Sequence, residues 1–254
     1  MTAIAIGGTA FAIVFGGALL GMFLRAVLPG HHLSSDSKDI IRIAMAMIAT
    51  LAAVVAALLI ASAKSSFDSK SNALARAATS YVLLDRTLAE YGPETKAIRD
   101  QLHDIAVMRL HQLWPEEKAG TINPEAVLRG LGIEAIQRQV LGLTARNDAQ
   151  QWLKSRALQL TSDITETRWA AAESLGSSIQ WPLLTIMVFW FAAIFASFGL
   201  FAPANGSVVA ALFACALSVA GSVYLIVEMD QPYGGLIRLS SAPLVTAIGE
   251  LGQP

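Results

Sequence analysis

The sequence has little charge and only one cysteine. Charged residues make up 15% of the 254 residues, against about 25% in ordinary soluble domains, and the net charge is −1. Without a basic excess there is no field that attracts nucleic acid, which argues against nucleic-acid binding. The lone Cys215 lies in an apolar run and cannot form an intrachain disulfide. Apolar side chains dominate instead, at 54% of residues and a mean hydropathy of +0.54, as is typical of an integral membrane protein.

The sequence also lacks the motifs of enzymes and of bound cofactors. It contains no Gly-x-Ser-x-Gly, no Gly-Lys-Ser/Thr loop and no Gly-x-Gly-x-x-Gly. His103 and His111 lie near Asp100 and Asp104 on one expected helix, but their spacing does not match a zinc motif such as His-Glu-x-x-His. We therefore expect no enzymatic activity, no cofactor and no metal.

Runs without charge mark the segments that can cross a membrane. An ionised side chain at the bilayer centre costs at least about 2.5–3.5 kcal/mol, so spans avoid Asp, Glu, Lys and Arg. The uncharged run 43–63 matches a hydrocarbon core of about 30 Å, and the run 174–227 is long enough for two helices. The sequence therefore predicts an all-α integral membrane protein with four transmembrane helices, at 4–28, 42–64, 182–201 and 207–228.

Charged residues are concentrated between the second and third spans. Apolar residues recur there at spacings of three and four, which predicts a water-exposed helical bundle inserted between helices 2 and 3. No Pro or Gly occurs from Asp36 to Tyr91, so the second span and the first bundle helix are expected to form one rod. We divide the chain into spans 1 and 2 (1–64), the bundle (65–180), spans 3 and 4 (181–230) and a tail at the membrane surface (231–254).

Small residues share one face of the second span. These residues are Ala46, Ala49, Thr50, Ala53, Ala57 and Ala61, with Lys64 at the end of the same face, and the candidate pore-lining residues are Ala46, Thr50, Ala53, Ala57 and Ala61. The first span has a related pattern, Gly17-x-x-x-Gly21. Because lipid does not drive apolar helices together, small faces indicate close packing against another helix. Alternatively, the face of the second span lines an oligomeric pore, where small side chains leave room for an ion.

Charges lie only at the ends of the spans. Arg42 and Lys64 bound the second span, and Glu228 and Asp230 follow the fourth. If a pore forms, we expect these four residues at its mouths. The two carboxylates could instead cap a helix, pair with Arg238 or attract a cation.

Several distinctive stretches are spread over nearly the whole chain. They are Leu-Pro-Gly-His-His-Leu-Ser-Ser-Asp-Ser-Lys-Asp at 28–39, the end of the second span at 59–68, Leu-Asp-Arg-Thr-Leu at 84–88, Tyr-Gly-Pro at 91–93, Phe-Gly-Leu-Phe at 198–201 and Asp-Gln-Pro-Tyr-Gly-Gly at 230–235. These stretches resemble a bacterial family of bestrophin-like membrane proteins. His31 and His32 in the first stretch are interpreted as part of a headgroup-level loop or, alternatively, of a proton-sensitive gate.

The resemblance implies a multi-pass protein of the bacterial inner membrane. Its more distant likeness to true bestrophins, which are pentameric anion channels, implies a homo-oligomer that conducts a small anion. The chain lacks the bestrophin Arg-Phe-Pro-Thr signature, so neither chloride selectivity nor calcium gating is carried over to its residues. Two function classes stay open. One is an oligomeric channel lined by the second helix, and the other is a membrane-anchored interaction or signalling protein whose bundle binds a partner.

Basic residues near the span ends predict the orientation. Those on the bundle side are Lys64, Lys70, Arg76, Arg168 and Arg238, against Arg25, Lys38 and Arg42 on the other side. This excess favours a cytoplasmic bundle, although the first span has no positive charge before it, which favours the opposite orientation. We predict that a reporter fused after Pro254 is active in the cytoplasm. A reporter active only in the periplasm would contradict this orientation.

Overall fold

The structure is a computed structural model that describes residues 2–27, 35–116, 132–173, 179–203, 205–230 and 234–253. Over these ranges the regular structure is helical, as the sequence predicts. The α-helices are α1 (Ala3–Val27), α2 (Ser35–Tyr91), α3 (Lys96–Leu113), α4 (Ile133–Gly142), α5 (Asp148–Glu173), α6 (Trp181–Phe201), α7 (Gly206–Asp230) and α8 (Ala242–Glu250). A 3-10 turn, Pro93–Thr95, lies between α2 and α3. The residues His31 and His32 lie outside the described residues, so their two interpretations stay open.

Four helices are long and apolar enough to cross a membrane. They are α1, α2 over Lys38–Tyr91, α6 and α7. The predicted limits agree closely for α1, α6 and α7. The predicted rod is confirmed as well, because α2 continues from the second span to Tyr91 as one helix of 57 residues. It ends where Gly92 adopts a φ of 146°, which side chains rarely tolerate, and where Pro93 follows.

The described chain forms two compact units. The first consists of Met1–Phe67 and Ser177–Ile237, and the second of Asp68–Gly176 and Arg238–Pro254. The first unit therefore contains α1, α6, α7 and the apolar N-terminal part of α2. The second contains the rest of α2 with α3, α4, α5 and α8.

In the first unit, α1 and α6 approach each other closely through glycines. A Cβ atom on Gly21 of α1 would overlap the carbonyl oxygen of Ala196, and one on Gly199 of α6 would overlap that of Ala18. A Cβ atom on Gly17 would lie 2.8 Å from another carbonyl oxygen of α6. The Gly17-x-x-x-Gly21 pattern is therefore used for packing within the chain.

The N-terminal part of α2 is held in the first unit by one of its faces. Leu59 and Ala63 of α2 are buried in a cluster with Met187 of α6 and Ile226 of α7. The same face includes Ala52, which is fully buried.

The second unit has its own apolar core. Its largest buried side chains include Leu84, Leu88, Leu102, Leu110, Ile136, Leu160 and Leu244. The indole N–H of Trp114 donates to the carbonyl of Leu239 at 3.2 Å, which attaches the C-terminal segment to the end of α3. Leu244 and Ile248 of α8 are buried in this unit, and the position of the tail at the membrane surface stays a prediction.

The glycine contacts predict different effects for alanine at two glycines of α1, Gly21 and Gly16. In Gly21→Ala, the new methyl group collides with the backbone of α6, and we expect a loss of about 1–3 kcal/mol in stability. The matched variant is Gly16→Ala, since a Cβ atom at Gly16 meets nothing within 4 Å. We expect Gly16→Ala to be neutral or to stabilise by up to about 1 kcal/mol, because alanine favours the helix. Thermal unfolding in detergent measures both, and equal midpoints for the two variants would refute close packing at Gly21.

Candidate functional site

The N-terminal part of α2 has three faces with different surroundings. The buried face contains Ala52, Leu59 and Ala63. The predicted pore residues Ala46, Thr50, Ala53, Ala57 and Ala61 are all exposed and form a second face, here called the small face. Large apolar side chains form a third, also exposed: Ile43, Met47, Leu51, Val54 and Leu58. The residues that the structure describes therefore cover one face of this helix and leave two exposed, of which one is lined by small side chains.

Thr50 is the only hydroxyl residue among the five residues of the small face. Its Oγ1 donates to the carbonyl oxygen of Met47 at 2.7 Å. Because this bond uses its one proton, the hydroxyl presents lone pairs to its surroundings in this rotamer. It can accept a hydrogen bond from water, but it must rotate before it can donate one to an anion.

Cationic side chains lie at both ends of the apolar part of α2. Arg42 and Lys64 are exposed and separated by about 33 Å along the helix at 1.5 Å per residue, which is close to the thickness of a hydrocarbon core. Arg42 lies 3.6 Å from the carboxylate of Asp39, and the Lys64 ammonium lies 5.8 Å from the ring centroid of Phe67. Their spacing fits one charge at each membrane surface.

Glu228 is a buried carboxylate near the end of α7. Its side chain accepts hydrogen bonds from the backbone N–H groups of Leu236 and Ile237, so it holds the segment that follows the helix. Gly235 permits this turn because it has a φ of 84° and because a Cβ atom there would overlap the carboxylate. These contacts do not cap a helix, because Leu236 and Ile237 lie outside the described helices, and the other roles considered for Glu228 stay predictions.

The other charged residues considered together with Glu228 are Arg238 and Asp230. Arg238, considered as a partner of the carboxylates, forms its ion pair with Glu116. Asp230 is half-buried in the last turn of α7. The placement of Glu228 and Asp230 at a pore mouth stays a prediction, and for Glu228 the backbone N–H groups already occupy the carboxylate.

A cleft of about 550 Å³ opens in the first unit between the beginning of α2 and the end of α6. Its lining includes Arg42, Ala46, Ala49, Ser197, Phe198 and Phe201. Ala202 also lines it, and the carbonyl of Ala202 accepts a hydrogen bond from the guanidinium of Arg25. The cleft is thus apolar along its walls and carries arginine at the end where α1 finishes and α2 begins.

A buried ion pair in the second unit was missed by the sequence reasoning. The carboxylate of Asp85 in α2 is bound by the Nε and Nη2 atoms of Arg99 in α3, both at 2.9 Å. It also accepts the backbone N–H of Gly252 at 3.2 Å, and Arg99 donates to the carbonyl of Gln253 at 2.8 Å. These hydrogen bonds fix the C-terminal segment to α2 and α3. Hydrogen bonding to Asp85 raises the pKa of the Arg99 guanidinium, against an opposing effect of burial.

The sequence contained a signal for this pair. Asp85 lies within the apolar stripe of Tyr81, Leu84 and Leu88, which are spaced by three and four residues. A carboxylate on the buried face of a helix requires a partner. What the spacing does not indicate is which of the cations elsewhere in the chain supplies it.

The described residues contain no group of three or more His, Cys, Asp or Glu side chains placed to hold a metal ion. His103 Nδ1 lies 3.9 Å from a carboxylate oxygen of Asp104, and both side chains are partly exposed. This pair has the geometry of a surface contact.

The ion pair predicts a large difference between two adjacent residues of α2. Asp85→Ala leaves the Arg99 guanidinium without its buried partner, and we expect it to destabilise the second unit by about 3–5 kcal/mol. Arg86→Ala removes an exposed pair to Glu250 of the same unit, which we expect to cost about 0–1 kcal/mol. Thermal unfolding and carboxypeptidase digestion of the C-terminus measure the two effects. Equal resistance to digestion in both variants would show that Asp85 does not hold the C-terminal segment.

Comparison with known proteins places the chain in a family. The profile of the Bestrophin-like domain matches residues 12–244, from within α1 into α8. No curated protein and no solved structure gave a significant match. The matched region includes most of α1 and all of α2, α6 and α7, the helices that can cross a membrane. The chain therefore belongs to the Bestrophin-like domain family.

Proposed function

We propose that the protein is an oligomeric membrane channel in which the small face of α2 lines the pore. The observation that carries the proposal is the exposure of this face: all five of its residues are uncovered, while the buried face of the same helix packs against α6 and α7. A pore-lining face must be exposed on its own chain, and among the residues that the structure describes the small face is exposed along its whole length. Membership of the Bestrophin-like family fits a membrane channel in general.

The shape of the small face also suits an axis shared by several copies. Alanine side chains let helices from neighbouring copies approach the axis while a gap remains between them. The large apolar face of Ile43, Met47 and Leu58 is suited to lipid, which solvates such side chains without cost. This division of the uncovered surface gives α2 a side for the pore and a side for the bilayer.

The charges at the two ends of α2 favour anions. In a ring of copies, Arg42 and Lys64 would form a cationic ring at each mouth, which concentrates anions through a local potential that salt weakens. Asp39 lies 3.6 Å from Arg42 and reduces the positive charge at that mouth. Because the Thr50 hydroxyl donates to Met47, selectivity at mid-membrane is expected to be weak and the mouths to decide it.

A membrane-anchored interaction protein is the second candidate. It is favoured by Trp152 of α5, whose side chain is 65% exposed on the second unit and is large enough to anchor a partner. The oligomeric state separates the two candidates. A closed ring of several copies around an axis favours the channel, whereas a monomer or simple dimer with α2 against lipid favours the anchor.

The channel proposal predicts that bulk on the small face blocks current. Purified protein in planar bilayers should conduct, with a reversal potential in a salt gradient that indicates anion preference. Thr50→Trp should reduce the current nearly to zero, because an indole from each copy would fill the pore at mid-membrane.

The matched control for this experiment is Leu51→Trp. Leu51 is the next residue and lies on the large apolar face, 55% exposed, where an indole would meet lipid. Its current should remain close to that of the original protein. An equal loss in both variants would contradict pore lining by the small face, and no current at any tested voltage, pH or ligand would favour the membrane anchor.

A further inference from the structure

We propose that the cleft between α2 and α6 binds an anionic phospholipid, with one acyl chain along its walls and the phosphate at Arg42. The cleft includes Arg42 and Ala46, which the channel proposal places at the mouth and on the lining of the pore, so a lipid bound here would reduce the positive charge at that mouth. Lipid binding is measured without any current, so its test does not depend on whether the protein conducts ions.

The walls of the cleft are suited to hydrocarbon. Phe198, Phe201 and Ile194 of α6 face Met45 and Ala49 of α2 across a volume of about 550 Å³, within the range of about 300–1,000 Å³ typical of ligand sites. The segment of α2 from Arg42 to Ala49 rises about 10 Å. That depth is roughly two thirds of one leaflet of a hydrocarbon core about 30 Å thick. An acyl chain entering from the membrane surface fits this space.

The cleft exists because α2 packs closely against the rest of the first unit only at residues C-terminal to the cleft. Leu59 and Ala63 are buried in the core cluster, and Ala52 is fully buried. Toward the N-terminus, Met45 and Ala49 on the same face are only half-buried. The helix therefore leaves a gap beside α6 at this end, and in a bilayer such a gap is filled by lipid or by another helix.

Charge complementarity selects an anionic lipid as the occupant. Arg42 lines the cleft with a side chain that is 66% exposed, and its pair with Asp39 is an exposed surface contact, which contributes little and can be exchanged. Arg25 uses one donor on the carbonyl of Ala202, which lines the same end, and a guanidinium has five donors in all. Arginine binds phosphate oxygens in a bidentate manner. A neutral lipid would gain only the apolar contacts, and a small free anion only the charged ones.

Lipid retention tests the proposal. The full chain is reconstituted in vesicles of equal phosphatidylglycerol and phosphatidylcholine, extracted in mild detergent and analysed by native mass spectrometry for bound lipid and for oligomeric mass. We expect retained phosphatidylglycerol in preference to phosphatidylcholine. Arg42→Gln should lower that preference about fivefold.

The matched control for charge is Lys38→Gln. Lys38 lies one turn before Arg42 on the same helix and does not line the cleft. Its loss should leave the lipid preference unchanged. An equal decrease in Lys38→Gln and Arg42→Gln would indicate diffuse attraction to an anionic surface and would overturn the proposal.

A second pair of variants tests the cleft without changing charge. Ala46→Phe fills the cleft, and Ala57→Phe places the same ring on the same face of α2, three turns away and outside the cleft. We expect retained phosphatidylglycerol to fall in Ala46→Phe alone. Unchanged lipid in Ala46→Phe overturns the proposal, and if its oligomeric mass changes at the same time, the cleft is an interface between copies of the chain.

Discussion

The first unit depends on the close backbone contact between α1 and α6. In a bilayer, no hydrophobic force draws apolar helices together. Two such helices stay in contact through the dispersion attraction between closely packed backbones. Gly21 and Gly199 provide this by leaving no Cβ atom where each helix meets a carbonyl of the other. α1 also contacts α7, so α1 lies against both of the other two helices. The membrane part of α2 is then left with a single face for intramolecular packing.

This limited attachment leaves α2 available for the two roles proposed for it. A helix buried on all sides cannot line a pore or border a lipid site, whereas α2 has two uncovered faces and a cleft at its N-terminal end. Its charges lie at the ends of the apolar part, where water can solvate them. The same helix continues through Tyr91, because Gly and Pro are absent until Gly92, and its C-terminal part contributes Asp85 to the second unit.

Both buried carboxylates in the described chain bind backbone N–H groups that lie outside their own helix. Asp85 accepts from Gly252 as well as from Arg99, and Glu228 accepts from Leu236 and Ile237. A buried carboxylate costs free energy unless its lone pairs are used, so each of these side chains orders the segment that satisfies it. In this way two acidic residues fix the chain after α7 and at its C-terminus. Both side chains therefore have a structural role, which is to hold these two segments in place.

The sequence by itself determined the all-helical class, the four spans and the continuous rod of α2, because each follows from local rules: the length of a charge-free run, and the absence of helix breakers. It also identified the small face of α2, since a periodicity of 3.6 assigns residues to faces. Only the tertiary structure decided which faces are covered: Gly17 and Gly21 pack inside, whereas Ala46 and Thr50 remain outside. The partner of Asp85, the backbone partners of Glu228 and the burial of Leu244 and Ile248 in α8 were likewise undetermined by sequence. Each depends on segments brought together by folding, and periodicity along one helix carries no information about what lies across from it.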